Sequence, residues 1–360
     1  MMGSVRPFTA HDIPQVARLH QMVFPAGAGE PREPAAYEAY FRSVFLENPA
    51  GDAALPSLVY EGAGGRIVGF LGSVRRRMAM GHRRYEAAVS SQFIVDPSAP
   101  TGLVAVHLVK AFLEGPQDLS IADEATDTAR RIWEGLGGTN SLINSLHWTR
   151  PLRPARLAMS FIRERPRLAP FAAAARPFTS ALDTLATRVP GSHFRQIACA
   201  DGAEEVCADA MAACAPDLHG DGRLRVEYDA RTVEWLLDRA GNRRGRVLKA
   251  AFRNGQTITG WYVCHLDAAG HAEAIQLAAT PSSVGGVLDH LFYQAWRHGA
   301  IAVSGRLDGR VAQALSDRYC LFHRRGPWML INANKPELLA SFYTGNSAFS
   351  RMDGEWSLRF

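Results

Sequence analysis

The sequence predicts an α/β protein of mixed sheets and flanking helices, built as two similar halves in tandem. Three observations carry that reading. Runs with the two-residue alternation of half-buried strands intersperse with segments whose apolar residues recur at helical spacing. A strand, a glycine-containing turn and an apolar helix follow one another twice, in "FIVDPSAPTGLVAVHLVKAFLEGP" (93–116) and in "AIQLAATPSSVGGVLDHLF". The two copies align without a gap: Gly102 falls on Gly285, Leu108 on Leu291, Ala129 on Ala312 and Ile132 on Leu315, a constant offset of 183.

Size and composition bound the rest. At 360 residues the chain is long for one ordinary domain, and 47% hydrophobic with 21% charged residues is globular. No stretch approaches the roughly 18 uninterrupted apolar residues of a membrane span. The opening MMGSVRPFTAHDIPQ carries charge early and lacks an apolar signal core, so a cytoplasmic protein is expected. A net charge of +5 suits an anionic ligand such as a phosphorylated cofactor and does not argue for nucleic acid. The five cysteines (Cys199, Cys207, Cys214, Cys264, Cys320) form no CxxC pair, which leaves buried or idle thiols and no metal site.

In chain order, "SVRPFTA" predicts a short strand. The following helix places Ile13, Val16, Ala17, Leu19 and Val23 on one face, with Thr9 as N-cap and Asp12 in the first turn. "PSLVYEGAGGRIVGFLGSVRRRMAM" and "HRRYEAAVSSQFIVD" predict strands joined by glycine turns. Arg75–Arg77 and His82–Arg84 flank one hairpin and suit a solvated edge, where charge blocks further pairing. "DLSIADEATDTARRIWEGLGG" gives a strand and a helix closed by Gly137 and Gly138.

Residues 151–195 are rich in Arg, Pro and Ala and show no strand pattern. Phe178, Leu182 and Leu185 are helically spaced, so this stretch is expected to be a linker with one or two helices. Binding to a membrane surface is its alternative use, against which stand the prolines that break any long helix. The expected division is therefore 1–150, a linker at 151–195, and 196–360. The tail after Asp353-Gly354 alternates apolar and polar residues and predicts a last strand closing the second sheet, with Trp356 and Phe360 in the core.

The order strand, helix, meander, strand, glycine turn, helix, strand, helix resembles the GNAT acyltransferase fold. "VRPFTAHDIPQVARLH", "GRIVGFLG", "FIVDPSAPTGLVAVHLVKAF" and "ATDTARRIWEGLGG" carry the resemblance in the first half. "TITGWYV", "AATPSSVGGVLDHLF" and "RVAQALSDRYCLF" carry it in the second. It implies two tandem GNAT-like domains. In that family the turn reads Gln/Arg-x-x-Gly-x-Gly/Ala, and its amides and the helix N-terminus bind the pyrophosphate of coenzyme A. Here Ala99-Pro100-Thr101-Gly102-Leu103-Val104 and Ser282-Ser283-Val284-Gly285-Gly286-Val287 keep the central glycine and lack the basic residue. The resemblance thus implies acetyl-CoA or another acyl-CoA bound by Ile94, Val95, Thr101, Gly102, Leu103 and Val104, with Gly285 and Gly286 in the second half. The tyrosine that protonates the leaving thiolate in the family is replaced by Trp133 and by Ser316, and Tyr319 lies one turn further on.

Acyl transfer to an amine requires two substrates held together, a polarised carbonyl and a sink for the amine proton. Asp123, Glu124 and Asp127 lie near the end of a predicted strand. Glu124 is the first candidate base, although these acids equally suit a helix N-terminus. Gln92 and Gln276 lie in strands that would border the acyl group, and Gln92 is the second catalytic candidate. His107 and His290 coincide at the repeat offset within helices and suit packing or surface roles, whereas Tyr85 and Glu86 with Arg83 and Arg84 suit an acidic acceptor or an exposed hairpin. The leading expectation is an N-acyltransferase acting on a small-molecule amine. An acyl carrier protein docked on Arg75–Arg77 or Arg243–Arg244, an aminoacyl-tRNA donor, and a non-catalytic scaffold are the alternatives.

Overall fold

A computed structural model of the chain describes residues 3–24, 33–99, 101–163, 176–189, 192–196, 203–220, 222–324 and 326–360. Pro100 and Cys199 lie outside the described residues, as does the side chain of Thr101.

The strands are β1 (Ser4–Pro7), β2 (Leu58–Glu61), β3 (Ile67–Met80), β4 (Arg83–Val95), β5 (Leu119–Ala125), β6 (Thr139–Asn140), β7 (His147–Pro151) and β8 (Ala203–Glu204). They continue as β9 (Leu224–Val226), β10 (Arg246–Asn254), β11 (Thr257–Leu266), β12 (His271–Ala279), β13 (Ala302–Arg306), β14 (Leu321–His323), β15 (Trp328–Ala333) and β16 (Ser347–Ala348). Among the described residues the helices are α1 (Ile13–Val23), α2 (Pro34–Phe45), α3 (Thr101–Leu113), α4 (Asp127–Gly135), α5 (Pro154–Arg163) and α6 (Arg176–Arg188). After these come α7 (Ala208–His219), α8 (Ala230–Gly241), α9 (Val284–Arg297), α10 (Ala312–Ser316), α11 (Pro336–Tyr343) and α12 (Glu355–Leu358).

The strands form two mixed sheets. The first runs β1-β2-β3-β4-β5-β15-β6, with β9 pairing β3 and β16 pairing β9; the second runs β14-β7-β13-β12-β11-β10-β8. The chain therefore divides into two interleaved units, 1–145 with 221–236 and 327–360, and 146–220 with 237–326. This differs from the contiguous domains and the linker at 151–195 expected from sequence. Strand edges explain the exchange. The edge that β5 would leave open is paired by β15, from the end of the chain, and that of β13 by β7, from its first half.

Each unit repeats one motif. In the first, β4 and β5 run parallel from Ala87↔Leu119 to Val89↔Ile121, and in the second β12 and β13 run parallel from His271↔Ala302 to Ala274↔Gly305. Beyond those registers no pairing joins them, so each pair opens. Val104 of α3 packs where a Cβ on Gly69 of β3 would come within 2.8 Å of it. Val287, its counterpart at the offset of 183, packs likewise against Gly260 of β11, at 2.9 Å. Leu108 and Leu291, also paired by the offset, are fully buried. Glycine on the strand and a branched knob on the helix give close helix–sheet packing, with each buried knob contributing ~1.5–3 kcal/mol. The internal repeat is thus one packing solution used twice.

Other expectations meet the tertiary structure with mixed outcome. Thr9 and Asp12 form a capping box, and α1 buries Ile13, Val16 and Leu19 as expected. Arg77 and His82–Arg84 are exposed as expected, but Arg75 and Arg76 are not a solvated edge. β3 is internal, Arg76 is buried with its Nε donating to the Asp353 carbonyl at 2.9 Å, and Arg75 pairs with Glu86. The tail does not close the second sheet as a strand. It adds β16 and α12 to the first unit, because Asp353, Trp356 and Leu358 are buried there. Tyr40 Oη donates to the Leu358 carbonyl at 2.7 Å, and the Phe360 ring lies 4.5 Å from those of Tyr37 and Tyr40.

Candidate functional site

The opening between β4 and β5 is built around an irregularity. The β3–β4 register shifts between Phe70 and Gly72, and Gln92 takes a positive φ of 54°, a conformation a non-glycine residue adopts only under constraint. This bulge turns the Gln92 side chain inward, where its Oε1 accepts from His20 Nε2 at 2.8 Å. The Gln92 N–H points to the tail and donates to Glu355 Oε1 at 3.1 Å; Ser91 Oγ donates to the same oxygen at 3.5 Å.

Across the opening, Asp123 and Glu124 lie within β5 and not at the start of α4, whose first turn holds Asp127 alone. Asp123 is buried and its Oδ1 accepts from the Glu355 N–H at 2.6 Å. Glu355 therefore joins the two separated strands, its carboxylate on β4 and its amide on β5. Burial pushes its carboxyl up to about 8, with the nearby Asp123 as second cause. Glu124, the first candidate base, is ion-paired with Arg351 at 2.8 Å and with Arg359. A buried carboxylate between two guanidiniums holds the tail in place. Behind it, Tyr228 Oη donates to Asp353 Oδ1 at 2.5 Å, and burial raises both groups above their ordinary values.

The structure brings Gln92 and Glu124 into one polar network, buried except at Arg359 and, in part, Glu355. His20, Asp353, Glu355, Arg351 and Arg359 belong to it and were not found from sequence. The one available signal was the cluster of Arg351, Asp353 and Glu355 within five residues of the tail.

The second part of the site is the turn before α3. Asp96 accepts from the N–H and Oγ of Ser98 at 2.8 and 2.6 Å and pairs with Arg66, and these bonds, Ser98 foremost, lower its carboxyl. Gly102 has open space where a side chain would stand, and Leu103 is exposed. Val104 faces the sheet and leaves the turn unobstructed. Ile94 is buried in the core and Val95 is half-buried, so of these two only backbone groups can serve a ligand along the β4 edge.

The second unit treats the same positions differently. A side chain on Gly285 would meet Arg318 Nη2 at 2.9 Å, and Arg318 is held there by Asp289 at 2.6 and 2.7 Å. Gly286 is open. Trp133, at the family's tyrosine position, is buried against Phe112. Tyr319 is exposed at φ 57°. His107 stacks on Tyr60, and buried His290 bonds Tyr262 Oη at 3.1 Å, both packing roles as expected. Among the described residues no group of His, Cys, Asp and Glu has the arrangement to hold a metal ion, and no helix is long and apolar enough to cross a membrane.

Solved structures share this architecture over nearly the whole chain. A conserved protein of unknown function from Enterococcus faecalis V583, described as a probable N-acyltransferase, superposes with TM-score 0.60 at 10% identity, over 92% of this chain and 72% of that one. The chain has the GNAT fold. A GCN5-related N-acetyltransferase from Anabaena variabilis follows at TM-score 0.56 and 12% identity, over 91% and 72% of the two chains. A GCN5-related N-acetyltransferase from Kribbella flavida gives 0.54 at 15% identity, over 91% and 71%. No protein-family model matches the sequence, and no curated protein is similar to it in sequence. The fold is thus shared at 10–15% sequence identity.

Proposed function

We propose that the protein is an N-acyltransferase that moves an acyl group from a coenzyme A thioester to the amine of a small molecule, at the opening between β4 and β5 of the first unit. One observation carries this reading: a parallel strand pair that separates beside a bulge, directly before a helix whose first glycine is unobstructed. The separated edge leaves backbone groups of residues 93–95 for an extended pantetheine arm, the Gln92 N–H being taken by Glu355. The N-terminus of α3 offers N–H groups and positive dipole to a pyrophosphate at Thr101, Gly102 and Leu103. The buried acidic network supplies the proton sink.

The chemistry follows from that placement. The amine nitrogen bonds to the thioester carbonyl carbon, the carbon–sulfur bond breaks, and the coenzyme departs as a thiolate that takes its proton from water. The proton lost by the amine passes to a carboxylate. Glu355 suits this role better than Glu124, because its raised affinity matches a proton taken near neutral pH, whereas Glu124 is committed to two arginines. The second unit, with Arg318 over Gly285, would shape structure and not bind the donor. Arg75 and Arg76 are turned into ion pairs and burial, which disfavours a carrier-protein donor docked there. Calorimetric titration of the purified chain with acetyl-CoA tests the reading. Saturable binding supports it, and its absence with the fold intact by circular dichroism sinks the acetyl-CoA assignment.

A further inference from the structure

Helix α6 is turned inside out. Its polar face packs on α5: buried Asp183 accepts from the Ala155 and Arg156 N–H groups at 2.8 and 3.4 Å, and Ser180 Oγ accepts from Arg156 Nη2 at 2.8 Å. Its apolar face is left outside. Phe178, Leu182, Leu185 and Val189 stand 72%, 56%, 58% and 57% exposed, and their spacing of four, three and four residues puts them on one stripe. Phe161 of α5 is exposed as well, at 51%. Exposed apolar residues scattered singly need no explanation, but a continuous helical stripe with its polar side buried does.

Charge decides what the stripe meets. The sequence of 150–195 is basic, with nine arginines against Glu164 and Asp183. Arg150 is buried and Arg156 pairs with Asp183, so they do not face outward. Arg163 and Arg188 end the two helices in exposed positions. A second copy docked through this face would set like charges against each other. A surface of anionic headgroups over an acyl interior satisfies both features, with the stripe entering the acyl boundary and the guanidiniums pairing with phosphate. A helix of 13 residues is too short to span a bilayer and can only lie on one.

We propose that the exposed face of α6, with Phe161, is a docking surface for an anionic membrane. The test is co-sedimentation of the full chain with vesicles of phosphatidylcholine alone and with vesicles of equal parts phosphatidylcholine and phosphatidylglycerol, at low and high salt. The expected result is saturable, salt-sensitive binding to the anionic vesicles only, weakened at least about tenfold in the double variant Leu182→Glu, Leu185→Glu. Both sites are exposed, so the variant's circular dichroism and melting should match wild type. No binding to anionic vesicles overturns the proposal. So does binding that the double variant leaves unchanged. Concentration-dependent self-association that the variant abolishes, without vesicle binding, would assign the face to a second copy instead.

Discussion

Glu355 and Gln92, 263 residues apart in sequence, meet through one hydrogen bond: the backbone N–H of Gln92 donates to the Glu355 carboxylate at 3.1 Å. The bulge that gives Gln92 its positive φ frees that N–H from the β-ladder, and the tail delivers the acceptor. One side of the site therefore exists only when the end of the chain is folded against β4.

Replacing Glu355 by Gln keeps the size and removes the titration. Burial raises its carboxyl from 4.5 to about 8, with Asp123 adding to the effect and Arg351 and the Ser91 and Gln92 hydrogen bonds opposing it. With Glu355 as proton acceptor, wild-type kcat rises with pH through an apparent pKa near 8. Glu355→Gln loses that limb and falls roughly 100-fold, with acetyl-CoA binding retained. Stability gives an independent check. Because the folded pKa is raised, the native state binds the extra proton between about 4.5 and 8, so wild type loses stability as pH climbs through this window and the variant loses less. Melting temperature against pH for both proteins measures the difference.

Glu124→Gln separates a structural carboxylate from a catalytic one. Removing its charge breaks the buried ion pair with Arg351, and the expected loss is about 3–5 kcal/mol in denaturant unfolding. The kcat midpoint near pH 8 should stay in place. A midpoint abolished in Glu124→Gln and kept in Glu355→Gln would return the base to Glu124.

Gly354 is glycine because Asp123 occupies the space a side chain would need. Its φ of −97° is open to any residue, so the constraint is contact and not conformation. Gly354→Ala must push the Asp123 carboxylate or lift α12, at a cost of about 1–3 kcal/mol with a loss of kcat. Gly286→Ala, in open space within α9, should leave stability unchanged or raise it slightly. Urea unfolding of the two variants side by side gives the comparison.

The two turn glycines predict opposite effects on donor binding. Gly102→Asp sets a negative charge at the unobstructed start of α3 and should weaken acetyl-CoA binding at least about tenfold. Gly285→Asp meets only the flexible end of Arg318, and should bind as wild type does. Calorimetry with both variants tests this, and loss in Gly285→Asp alone would move the donor site to the second unit.

Much of the fold was legible because its signals are local. Alternation in 67–80 and 83–95, the capping box at Thr9, and the repeat offset that pairs Val104 with Val287 all follow from neighbours in sequence. What misled was a property of neighbours in space. Arg75 and Arg76 look like a solvated edge until β9 pairs with β3 and the Asp353 carbonyl takes up Arg76. Asp123 and Glu124 look like helix-start charges, since their real partners, Glu355, Arg351 and Arg359, come from the far end of the chain.

By itself, then, the sequence determined the elements of the repeated motif, their doubled order and the glycine turns, because backbone conformation, capping and the periodicity of apolar residues act over a few positions. Only the tertiary structure decided which sheet each end of the chain completes, and hence which carboxylate is tied to arginines and which is held at the bulge by Ser91 and Gln92. Pairing a strand edge and desolvating a charge depend on what arrives from elsewhere in the chain, and no local pattern records it.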